Sequence, residues 1–501
     1  MTAGEDAVDG RRRGARTAIL LALAALLVYN LNGRVIASSD TRATRFVPFA
    51  LLRGGTLLLD PVLDVVQTSR RAYWVQPARG GGHASLFPVV TPLLVTPLYV
   101  PAAVLLARQG WPAPALNAAG AFMEKLAASC IAATAAGLML VLLRRRLPPA
   151  RALGLAAAFA LGTETWMIGS QALWQHGAEE LLLIVALLAF TGPLRAAHLA
   201  IGGAACGLAI AGRPIDALLV APFALLAPAW AGRRAAWFFL AAAAPLALTL
   251  AYNLDAFGLP GGGYQLFVEA GRRYFEQPMA RGLVEMLFSP DKGLFVYTPF
   301  LLFLPVYLRR ALGMRRNGPA SASRPVSESV PAPVSGPAAL QAQAAGPPPA
   351  AAGDRGPRPP GPPPPAGRLA ALCRFLADFL ADRDRALNTL LLAAILAQLL
   401  VYARSEWRGG SCYGPRYLTD LLPLAVWMLA PVVAALQPRP LAVFRLAVVF
   451  SIAVQAVGAF CYPRGASDLR MAREDSHLPA YLIEAEAGVV TPGWLEALRG
   501  R

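Results

Sequence analysis

This sequence is poor in charge. Asp, Glu, Lys and Arg make up 15% of its 501 residues, against about 25% in soluble domains, and the mean hydropathy is +0.48. Apolar residues fall in long runs rather than mixed ones, which excludes one large soluble core and points to a polytopic membrane protein. Acidic residues are the scarcer sign, 29 against 46 basic, for a net +17. The arginines sit in short clusters between apolar stretches, so the excess reads as basic cytoplasmic loops and not as a nucleic-acid surface. The five cysteines, at 130, 206, 373, 412 and 461, form neither a disulfide framework nor a paired metal motif. Cys412 and Cys461 both fall near the outer face and could pair in an oxidising compartment. His83, His176 and His477 lack any compact ligand spacing, so no metal site is assigned; a divalent metal is conceivable but unsupported.

The amino terminus, RRRGAR followed by AILLALAALLVYNLNG, reads as a retained first anchor, although Val35-Ile36-Ala37 would also serve as a cleavage site. Apolar runs of spanning length follow at about 117–143, 150–168, 172–192, 197–212, 214–231, 235–255, 293–310, 386–403, 417–436 and 440–461. A further run, 85–107, carries Pro88, Pro92, Pro97 and Pro101, which should break a spanning helix. If it does not cross, Arg144–Arg146, Arg195, Arg233–Arg234, Arg309–Arg310, Arg315–Arg316 and Arg439 all lie inside with Arg11–Arg13, as the positive-inside rule requires. It is therefore read as re-entrant or surface-lying. The fold class is an all-α polytopic membrane protein with about eleven spans and juxtamembrane helices in the first outer loop.

The organisation expected is a cytoplasmic basic segment 1–16, then a main bundle 17–310 whose outer loop 34–116 holds the juxtamembrane helices. A cytoplasmic region 311–385 follows, with a Pro-rich linker at about 317–367 that cannot form a core. A last bundle 386–461 and an outer tail 462–501 complete the chain.

With that topology the polar chemistry collects on one side. Asp40 follows the first span, just before Arg42–Leu52, where Phe46, Val47, Phe49, Ala50 and Leu51 are interleaved with basic residues as in a helix lying on a bilayer. A second amphipathic piece after Pro61 places Val62, Val65 and Val66 on one side. The next cluster holds Glu164, His176, Glu179 and Glu180, the last two entering an apolar helix, where ionisable groups are costly and functional by default. Asp255, Tyr264, Asp291 and Lys292 form a third group, and Glu406, Arg408, Arg416 and Asp420 a fourth. Basic residues beside glycine-rich turns suit a phosphate whose tail stays in the bilayer. Nearby carboxylates suit general-base work on an acceptor hydroxyl. Snorkelling, helix anchoring and ion pairing account for the same residues without any chemistry.

The stretches SSDTRATRFVPFALLRGG, LGTETW, LWQHG, GLAIAGRP, YNLDAFGLPGGGY, SPDKGLFVYTPFLL and WRGGSCYGPRYLTDLLP, in that order, resemble the GT-C superfamily of membrane glycosyltransferases. The resemblance is to bacterial members related to protein O-mannosyltransferases and aminoarabinose transferases. It implies an inner-membrane enzyme that moves a sugar, with inversion, from a polyprenyl-phosphate donor to a lipid, glycan or protein acceptor at the outer face. Asp40 falls where the family places its base. Lys292, Arg408 and Arg416 would meet the phosphate, with Tyr264, His176 and Glu180 as further binding residues. The paired acidic motif for a metal is missing. Two other readings stand beside this one, a transporter or flippase of lipid-linked sugars and a non-catalytic envelope assembly protein.

Overall fold

The computed structural model describes residues 3–67, 72–270, 275–305, 368–405, 407–410 and 412–462. The linker 317–367, the tail 463–501 with His477, Arg309–Arg310, Arg315–Arg316 and Glu406 lie outside the described residues. Helices dominate, and the single sheet among the described residues is a hairpin, β1 Val75–Pro77 against β2 His83–Ser85. The all-α expectation missed this small element.

In chain order the first helices are α1 Ala3–Asn30, α2 Ser39–Gly54, α3 Leu63–Val66, α4 Val90–Arg108 and α5 Ala113–Leu143. There follow α6 Pro149–Gly162, α7 Gln175–Phe190, α8 Ala196–Gly212, α9 Ala217–Ala231, α10 Ala236–Phe257, α11 Gly262–Ala270, α12 Met279–Phe288 and α13 Leu294–Tyr297. After the break come α14 Arg368–Ala381, α15 Arg383–Arg404, α16 Leu422–Ala435 and α17 Pro438–Cys461. Six helical stretches among the described residues are long and apolar enough to cross a membrane. One of them, Pro214–Phe257, is folded at Gly232 (φ 55°) into α9 and α10. The expected runs fall on α5–α10 and α15–α17 to within a few residues. The exceptions are 150–168, which ends as α6 and then a π-helical turn Thr165–Gly169, and 293–310, described only as short helical pieces to Phe303.

Close backbone approaches fix the helix directions. Gly137 faces Ala18 and Gly14 faces Arg144, so α5 runs back along α1. A Cβ on Gly203 would lie 2.1 Å from the Phe238 carbonyl, and one on Gly207 2.3 Å from that of Ala242. This Gly-x-x-x-Gly face therefore packs α8 and α10 parallel and in contact, and α9 is the return segment that connects them along the chain. The loops sort accordingly to two ends. At one, Arg145 donates to Leu188 O at 2.8 Å, Arg146 pairs with Asp384 and stacks on Trp427, and Arg383 lies over Trp230. Asp40 and the other candidate residues lie at the opposite end.

α2 begins where Ser38 caps it, accepting from Asp40 N at 3.1 Å, and ends at Gly55 in the left-handed region. Its apolar residues are covered by protein and do not lie open to a bilayer. Phe49 meets Tyr99 of α4 edge-on at 4.9 Å, Phe46 packs against Gly120 of α5, and Arg45 pairs with the buried Glu124. Val62, Val65 and Val66 are buried together, as their spacing implied. α4 itself is one unbroken helix through Pro97 and Pro101, so the prolines do not interrupt it. Packing on α2 outweighs the lost hydrogen bonds. This helix is one of the six stretches long and apolar enough to cross a membrane; Phe87 before it meets Tyr264 and Trp111 after it meets Phe49, each at 6.2 Å.

Candidate functional site

Three connections converge at that end: the α1–α2 loop, the unwound 170–174 segment before α7, and the glycine-rich turn before α16. Asp40 lies in the first turn of α2, where the helix dipole favours a carboxylate. Its Oδ2 accepts from Arg416 Nη1 at 2.6 Å, and its Oδ1 accepts from the Tyr73 hydroxyl, which in turn accepts from Ser39 Oγ at 2.9 Å. The Arg416 guanidinium sits 4.4 Å from the Trp174 ring centre and 5.1 Å from that of Tyr417. Arg416 is 9% exposed and Asp40 25%, so the cation is fixed inside while the carboxylate still reaches water. Burial, then the Asp40 charge, hold the Tyr73 phenol well above its ordinary range, so it stays a donor.

Behind this pair lies a second, closed network. His176 Nδ1 donates to Asp420 Oδ1 at 2.7 Å, and Arg213 Nε pairs with Asp420 Oδ2 at 2.8 Å. Arg213 also donates to His176 Nε2 at 3.4 Å and to the Tyr402 hydroxyl at 2.8 Å. These partners select the neutral Nδ1–H imidazole. Tyr402 stacks on Tyr417 at 5.3 Å, so the ring that flanks Arg416 is backed by the closed network. Tyr264 donates to Gln175, next to His176. Burial pushes its phenol up to about 12, which leaves it protonated and hydrogen-bonding at neutral pH.

The remaining candidates brace the turn. Lys292 Nζ donates to the carbonyls of Arg408, at 3.0 Å, and Gly410. Its ammonium thus ties α13 to the turn and does not stand open to a ligand. Arg408 meets Glu285 at 3.5 Å and lies over Trp407 at 4.9 Å. Gly414 (φ 71°) lies against Glu164 and Tyr297 with no room for a Cβ. Glu164 accepts from Gln455 at 3.1 Å and Thr298 at 3.2 Å. Glu180 is fully buried and accepts from Thr165 Oγ1 at 2.7 Å, one turn into α7 and away from Asp40. Cys412 and Cys461 are both free thiols, so the disulfide is not formed; Cys412 Sγ instead lies 3.6 Å from the Gly409 carbonyl. Among the described residues no group of three or more His, Cys, Asp or Glu could hold a metal ion. The partners of Asp40 are donors, a guanidinium and a phenol, rather than further carboxylates.

The structure thus brings Asp40 and Arg416 together and sets His176 and Tyr264 beside them. Sequence reasoning missed Tyr73, Trp174, Tyr402 and the centrality of Arg213. An arginine followed by proline at the end of an apolar run, as in GLAIAGRP, was a readable signal for Arg213; RRAYW offered none for Tyr73.

Next to this end, Ser85–Pro88, the end of α8 and the C-terminal half of α10 line a cavity of about 350 Å³. Its walls are mostly apolar, with Asn253 and Tyr264 as polar points. Comparison with protein-family models, with curated proteins and with solved structures finds no match to this chain.

Proposed function

We propose that the chain is an inverting glycosyltransferase of a bacterial inner membrane. It takes a sugar from a polyprenyl-phosphate donor and passes it to an acceptor hydroxyl at the outer face. The observation that carries this reading is the Asp40–Arg416 pair, a partly open carboxylate beside a cation clamped between aromatic rings, with an apolar cavity adjoining. In the reaction the acceptor oxygen attacks the anomeric carbon while its proton passes to Asp40. The bond from that carbon to the phosphate oxygen breaks, and Arg416 offsets the charge left on the lipid phosphate. The cavity lined by α8, α10 and Tyr264 receives the first part of the hydrocarbon tail. Loss of the gene should remove one envelope glycan and accumulate one lipid-linked sugar, both read by mass spectrometry. Unchanged profiles of both would reject the reading.

The same proposal includes about eleven spans, with the amino terminus inside and the carboxyl terminus outside. It is supported by the gathering of Arg144–Arg146, Arg151, Arg233–Arg234 and Arg383 at the end away from Asp40. On a variant lacking the native cysteines, a cysteine at Gly80 should label from outside intact cells, and one at Arg145 or in 317–367 should not. Labelling of the latter two from outside would invert the topology.

One observation favours the second reading, a transporter of lipid-linked sugars. The helical run breaks between α6 and α7, and Glu164, Glu179, Glu180 and Asp216 are fully buried around it. A transporter would leave purified protein unable to transfer sugar in detergent, where no second compartment exists.

A further inference from the structure

At the end away from Asp40, a recess of about 310 Å³ opens where α16 turns into α17. Arg151, Leu436, Gln437, Leu441 and Arg445 are among the residues that line it. Arg151 donates from Nη1 to Val433 O at 2.8 Å and to Ala434 O, which fixes its guanidinium as a cap on the last carbonyls of α16. Both bonds come from one nitrogen, so Nε and Nη2 are left for another acceptor.

Arg445 is the unusual residue. It lies in α17, one of the helices long and apolar enough to cross a membrane, about 10 Å along the axis from its start. Its neighbours Val443, Leu446 and Val449 are 59%, 70% and 62% exposed, so this face of α17 meets lipid. A guanidinium at that depth needs either a route to the headgroup layer or an anionic partner. Among the described residues no carboxylate pairs with Arg445 or Arg151. The recess lies beside it, and its other cation is already held in place.

We infer that this recess binds the phosphate headgroup of an anionic phospholipid, held between the guanidinium groups of Arg151 and Arg445. The acyl chains lie along the exposed apolar face of α17. Guanidinium forks suit phosphate oxygens, and basic pockets between spanning helices on the side that carries the basic loops are where anionic headgroups are recognised. The continuity of the cationic recess with an apolar, lipid-facing stripe favours a lipid phosphate over a free one.

The test uses the full chain, purified in detergent and stripped of lipid, with binding read by native mass spectrometry. Phosphatidylglycerol should bind about tenfold or more tightly than phosphatidylcholine, whose phosphate is offset by its own choline cation, which the two guanidinium groups repel. Arg445→Gln should lose about that factor, while Arg234→Gln, an exposed arginine at the same end, should change nothing. Equal binding of the two lipids by the unaltered chain would overturn the proposal without reference to any variant. An equal loss in Arg234→Gln would replace the site by diffuse charge. Full displacement of phosphatidylglycerol by millimolar inorganic phosphate would make it a free-anion site and not a lipid site.

Discussion

Asp40→Asn should lower sugar transfer per inserted molecule by about 10²–10⁴-fold, the usual contribution of a general base, without lowering the amount of inserted protein. The substitution keeps the size of the side chain and its ability to accept from Tyr73. It removes the charge facing Arg416, but that guanidinium is still clamped between Trp174 and Tyr417, so the loop is not expected to unfold. A purely structural role predicts the reverse pattern, lower yield with transfer per molecule intact, because the buried Arg416 guanidinium would lose its ion-pair partner. Transfer is measured from a synthetic polyprenyl-phosphate sugar by purified protein. Near-normal transfer would remove Asp40 as the base. Asp60, which pairs with His83 Nδ1 at 2.9 Å, Asp64 and the fully buried Glu180 would then be the next to test.

The second large effect is on stability. Asp420 and Arg213 are 0% and 9% exposed in their side chains, and removing one partner of such a pair leaves a buried charge uncompensated. Arg213→Ala should therefore cost about 3–5 kcal/mol, visible as a marked fall in the unfolding midpoint in detergent. The penalty belongs to the orphaned carboxylate, so Asp420→Asn combined with Arg213→Met should recover much of it. A loss in Arg213→Ala below roughly 1 kcal/mol, the range of a solvated pair, would show that water reaches this network.

These two sites also show what the sequence could and could not disclose. Long apolar runs located most of the helices because hydropathy depends on local composition alone, and the arginine clusters found one end of the bundle for the same reason. Asp40 and Arg416 were each legible as polar residues at the edge of an apolar run. That they touch, across 376 positions, depends on how helices distant in sequence pack together, and no local pattern encodes that. Lys292 shows the opposite failure. A lysine beside a glycine-rich turn suggested a ligand, yet the left-handed turn at Gly409 and Gly410 aims its own carbonyls back at the ammonium. The proline run in α4 misled because propensity was weighed without the partner helix that sustains it.

The contact between α8 and α10 has a consequence for rigidity. The cavity near Tyr264 is bounded on one side by helices whose backbones already touch at Gly203 and Gly207. On the other side Gly263 lies against the carbonyl of Leu86, where a Cβ would come within 2.0 Å. The absent Cβ atoms thus hold the supporting helices at a fixed spacing, while Ile210, Leu246, Leu250, Phe87 and Phe257 form much of the cavity surface. Such a frame does not breathe where α8 meets α10, so the fit of any apolar guest is left to the side chains that line the wall.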